Sequence, residues 1–183
     1  MPLLVTAMTA LLAATHASDP AAATDAFRLD LAADRIELEP MLTFAGDFHG
    51  TTVVSAGAGV HWFVEERVSV GLFAEAIHVN QDGDNAVGGG GGVLVRWYFA
   101  RLESAAIFGE IGVGLAGFDA PVPQEGTSVD FTPRAAVGVA WPVADRTTLD
   151  ARIGWLHFSN AQTGEENPGV DALAASVGLH IAF

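Results

Sequence analysis

The chain has 183 residues, half of them hydrophobic, a formal net charge of −14 and no cysteine. That length suits one domain, and without cysteine neither a disulfide framework nor a thiolate site can form. All eight basic residues are Arg, set against 22 acids, which excludes a phosphate-tracking nucleic-acid surface.

The apolar run 3–14 is shorter than the roughly 18 to 20 residues a membrane helix needs. It is followed by Thr15-His16-Ala17, with small residues where a signal peptidase reads them. Residues 1–17 therefore read as a secretory signal, although no Lys or Arg precedes the run; a buried N-terminal helix is the competing reading. Residues 18–35 read as a leader or an N-terminal extension.

Beyond residue 35 the helix period is missing, and period-two alternation recurs between turn residues. It predicts eight strands near 36–46, 52–64, 67–80, 86–99, 104–118, 128–142, 147–159 and 170–183. Each is longer than the usual strand of about 5 to 6 residues. Each suits a membrane strand, for which about 9 to 11 residues cross the bilayer. Within them one face is large and apolar, as in Val93, Val95, Trp97 and Phe99. The other is small, with scattered charges: Glu37, Glu39, Glu75, Arg96, Glu110, Arg134, Asp150 and Arg152. Charges of both signs can pair inside a narrow lumen while the large residues face lipid. The fold predicted for 36–183 is an all-β, eight-stranded antiparallel transmembrane β-barrel with a filled interior, integral to a bacterial outer membrane. A soluble lipocalin-like barrel is the alternative.

Connections support the membrane reading. Short turns near 65–66, 100–103 and 143–145 alternate with mostly longer loops at 47–51, 81–85, 119–127 and 160–169. Trp62, Phe63, Trp97, Tyr98, Phe99 and Trp141 sit beside the short turns, as one aromatic girdle at the periplasmic interface would. The alternating last strand ends on Phe183, which resembles the C-terminal signal of outer-membrane proteins. Two motifs are set aside. The glycines 88–92 lack the Lys and helix of a phosphate loop, and "NQDGDN" at 80–85 lacks the rest of a calcium-loop spacing.

The polar segment around 156–173 is different. His157 and Ser159 share the lipid-side parity of their strand, and Asp171 that of Phe183. If Ser159 pairs with Gly169, His157 lies directly opposite Asp171, with Cβ atoms about 5 Å apart; the intervening loop is too long to fix that register. Polar groups facing hydrocarbon are costly, so the three either meet water at headgroup level or form a site. As a Ser-His-Asp set, Ser159 would attack an ester carbonyl, His157 would act as general base, and Asp171 would hold the imidazole tautomer. A site on the outer wall makes sense for a membrane-resident ester, such as a phospholipid or lipid A.

The segment His157-Phe158-Ser159-Asn160-Ala161, then Asn167-Pro168-Gly169 and Asp171, resembles the lipid A 3-O-deacylase (PagL-like) outer-membrane family, and Gly126-Thr127 to Phe131 looks like that family's strand start. The resemblance runs from about 109 to 183. It implies an esterase that removes the ester-linked 3-O-acyl chain of lipid A, with Ser159 as nucleophile, His157 as base and Asp171 as the acid. The family's usual acid is Glu, one methylene longer; Glu165 and Glu166 are reserves. It further implies an oxyanion hole of backbone N–H groups at Asn160 and near Gln162, where family members more often have Gly. The partners implied are lipid A or lipopolysaccharide and the surrounding outer-membrane lipids; a homodimer stays open, and neither metal nor cofactor is implied. The other function class is a non-enzymatic barrel with a structural or adhesion role.

Overall fold

In the computed structural model, residues 29–163 and 168–183 are described. The proposed signal at 1–17 and the reserve acids Glu165 and Glu166 lie outside them. The described chain is all β: β1 (Ile36–Gly46), β2 (Thr52–Glu65), β3 (Val68–Asn80), β4 (Ala86–Arg101), β5 (Ala106–Val122), β6 (Thr127–Phe131), β7 (Arg134–Ala144), β8 (Thr147–Phe158) and β9 (Val170–Ala182). Neighbours pair antiparallel, and β1–β9 and β4–β5 pairing completes a closed ring. Closure removes every edge strand, which hydrocarbon cannot tolerate.

The strand expected over 128–142 is divided into β6 and β7. Its register against β5 continues across the break, Leu115 opposite Phe131 and Gly112 opposite Arg134, so the ring counts eight staves, with β6 and β7 sharing one. The break falls at Thr132-Pro133, because proline has no N–H to give to a ladder. The loop expected at 119–127 is also tighter: β5 runs on to Val122, and Gly126 N donates to Pro123 O at 2.7 Å.

Alternation decides which side chains line the lumen. The wall carries exposed apolar residues such as Leu42, Val60, Leu72, Ile111, Leu115 and Ile153. The lumen is filled in three layers. Near the long loops, Val53, Val79, Phe118, Val122, Phe158 and Val170 pack together. In the middle, Arg96 donates to Glu110 at 2.6 Å, and Arg152 pairs with Glu39 at 2.8 Å. His180 bridges Asp150 at 2.7 Å and Glu37 at 2.9 Å. Buried charges are tolerable only when paired and hydrogen-bonded like this.

The third layer corrects the expected girdle. Trp62, Trp97 and Phe99 do face outward, but Phe63 and Tyr98 are buried inside, their rings stacked 5.9 Å apart. They have the opposite parity, and they pack with Phe108, Leu29 and Leu31 as a plug at the short-turn end of the barrel. Residues 29–35 thus fold into the barrel mouth: Asp34 N donates to Phe63 O at 2.8 Å, and Arg67 N to Leu31 O at 2.9 Å.

Candidate active site

The alternation of β8 sends Phe158 inward, where it is 1% exposed and meets Phe118 edge-on at 5.9 Å. That buried ring anchors the strand from behind. The residues on either side of it, His157 and Ser159, have the outward parity. Ser159 N donates to Phe131 O at 3.1 Å, and Phe131 N donates to Ser159 O at 2.7 Å, so Ser159 is held extended just past the end of β8.

The β8–β9 register sets His157 opposite Asp171. His157 turns its backbone N–H the other way, to Pro133 O at 3.0 Å. The His157–Asp171 pair is therefore a non-hydrogen-bonded one, the kind in which facing side chains come closest. His157 Nδ1 lies 2.9 Å from Asp171 Oδ1. This hydrogen bond makes Nδ1 the donor and leaves Nε2 as the acceptor of the neutral ring. The imidazole side chain is 22% exposed and the carboxylate 70%, so the pair lies on the outer wall and not in the lumen. Asp, despite its shorter side chain, reaches the ring.

Sequence reasoning missed three contributors. Trp155, two residues before His157 on the same face, donates its indole N–H to Asp171 Oδ1 at 2.7 Å. Its ring also stacks on the imidazole, with centroids 5.5 Å apart and planes at 24°. The outward parity of Trp155 was legible; its reach across the hairpin to Asp171 was not. Gly169 adopts φ +60°, and a Cβ there would sit 3.1 Å from His157 Cε1. Pro133 contributes the carbonyl that holds the His157 backbone.

After Ser159 the chain turns through two left-handed residues, Ala161 at φ +53° and Gln162 at φ +64°. Neither is Gly, so both carry strain of about 1–2 kcal/mol. Asn160 is buried, and its Oδ1 accepts the Gln162 backbone N–H at 2.9 Å. Its carbonyl accepts from Thr163 N at 3.0 Å and Thr163 Oγ1 at 2.7 Å. The Gln162 N–H expected at an oxyanion hole is thus engaged within the turn.

The arrangement is an imidazole ordered by Asp171 on the outer wall, with Ser159 two residues on at the same outward parity. Among the described residues, the structure brings His157 and Asp171 into hydrogen-bond contact and shows no side-chain hydrogen bond between His157 and Ser159. The family model for lipid A 3-O-deacylase (PagL) matches residues 49–180. No curated protein matches. Among solved structures, the outer-membrane enzyme PagL is similar at 17% identity and a TM-score of 0.58, covering 78% of this chain and 97% of that one. The N-terminal β-barrel domain of Pseudomonas aeruginosa OprF is similar at 10% identity and a TM-score of 0.60, covering 82% and 98%. Neisserial surface protein A is similar at 12% identity and a TM-score of 0.52, covering 81% and 96%. At these identities the structures share the fold, that of a small barrel integral to the bacterial outer membrane. With the family model spanning most of the barrel, the chain belongs to the lipid A 3-O-deacylase (PagL) family.

Proposed function

We propose that this barrel hydrolyses the ester at the 3-position of lipid A, with Ser159 as nucleophile, His157 as general base and Asp171 as the orienting acid. The observation that carries the reading is the outward-facing His157–Asp171 hydrogen bond at 2.9 Å, one alternate residue from Ser159 on the same wall. A polar pair on a lipid-facing surface is expensive, and a membrane-resident ester gives it a use.

The reaction follows from the donor pattern. With Nδ1–H given to Asp171, His157 Nε2 takes the Ser159 hydroxyl proton as Oγ attacks the acyl carbonyl. The oxyanion is stabilised by backbone N–H groups after Ser159. Those of Asn160 and Gln162 are the candidates, and Gln162 can contribute once its bond to Asn160 Oδ1 opens. Collapse breaks the ester C–O bond. The sugar 3-oxygen leaves with the proton from Nε2, and the acyl group stays on Oγ. Water, deprotonated by the same imidazole, then releases the fatty acid and restores Ser159.

Mass spectrometry of lipid A from cells making the wild type or Ser159→Ala tests this. The expected result is loss of one 3-hydroxyacyl group with the wild type only. An unchanged lipid A profile beside correctly folded wild-type barrel would overturn the reading. That outcome would favour a structural or adhesion role.

A further inference from the structure

We propose that Trp155 is a positioning residue of this site, which holds the Asp171 carboxylate for His157; the proposal rests on the esterase reading above. Trp155 lies opposite Leu173, one alternate position from the His157–Asp171 pair. Diagonal neighbours across a hairpin lie about 7–8 Å apart, within reach of an aromatic side chain. The indole uses that reach: Nε1–H meets Asp171 Oδ1 at 2.7 Å, the same oxygen that His157 Nδ1–H meets at 2.9 Å.

Two needs are met together. An indole N–H on a wall facing lipid requires an acceptor, and Asp171 is one. Conversely, Asp171 is a short carboxylate, 70% exposed, and one bond to a ring leaves it free to swing. A second donor, approaching from the next residue along the same face, fixes its rotamer. The indole also stacks beside the imidazole at 5.5 Å. Its π face favours the imidazolium that forms as Ser159 loses its proton. Trp155 thus acts through Asp171 and His157, not on the substrate.

The test is a set of purified barrels in detergent micelles, each checked for the β-sheet circular-dichroism spectrum and heat-modifiable gel migration. Trp155→Phe keeps an aromatic ring on the wall but removes the N–H donor together with the indole's second ring. Acyl release from lipid A should fall about tenfold in kcat, the scale of one hydrogen bond to a charged group, with KM changed less than about twofold. In the Asp171→Ala background the same change should alter the rate less than about twofold, since coupled residues are non-additive. An unchanged kcat in Trp155→Phe, or an equal loss with and without Asp171, would overturn the proposal. Wild type that releases no acyl group overturns the esterase reading instead. The positioning claim is then read from the 15N shifts of the His157 ring. Wild type should show one tautomer, with the proton on Nδ1, and Trp155→Phe a mixture; identical ring shifts would overturn it.

Discussion

Gly169 shows how one residue constrains the site. At φ +60° it occupies backbone space that an L side chain adopts only at a cost of about 1–2 kcal/mol. It also lies where a Cβ would press on His157 Cε1 at 3.1 Å, tighter than ordinary contact. Gly169→Ala is therefore expected to push the imidazole off its bond to Asp171. Acyl release should drop about tenfold or more, since misplacement of a catalytic group by even 1 Å can cost about 100-fold, while the barrel still folds. Measuring kcat together with the urea midpoint separates the two effects.

At the scale of the element, the break between β6 and β7 is chemical in origin. Phe131 and Ser159 exchange both backbone hydrogen bonds, and two residues on Pro133 accepts from His157 N but has no N–H to return. Pro133→Ala should supply that missing donor to the His157 carbonyl and join the two strands. The added hydrogen bond contributes about 1 kcal/mol. The more flexible unfolded chain offsets it by about 0.4–1 kcal/mol, so net stability should barely move. The readout is hydrogen exchange: the new amide at position 133 should be protected. A fast-exchanging amide there would show that the break has another cause.

Across the whole molecule, the filled lumen and the bare wall make opposite demands. Arg96 is fully buried and holds Glu110 at 2.6 Å and Glu39 at 3.3 Å. Arg96→Met would strip both carboxylates of a partner and should destabilise the barrel by about 3–5 kcal/mol, read as a lowered urea midpoint in micelles. On the wall, Leu72 is 64% exposed between Val60 and Val93. Leu72→Arg should cost about 2–4 kcal/mol in a bilayer, where the midplane penalises charge. In that variant the loss should shrink when the same residue meets detergent headgroups.

Much of this is local and was legible in the chain. Side-chain alternation is a property of the extended backbone, so the strand count, the charged lumen and the outward parity of His157, Ser159 and Asp171 follow from period two alone. The matching motif in the last hairpin pointed to the family. What the tertiary structure decided is everything that depends on register and curvature. The loop between β8 and β9 is too long to set pairing, so His157 opposite Asp171 was one choice of register, and the reach of Trp155 followed from it. The lumen pairs join residues as distant as Glu37 and His180, 143 positions apart. Such partners meet only once closure and strand stagger fix which inward side chains share a layer. Two members of the expected aromatic girdle fell out of it for the complementary reason. Phe63 and Tyr98 sit beside the short turns in sequence, but alternation turns them into the plug, because nearness to a turn does not decide which side of the wall a residue faces.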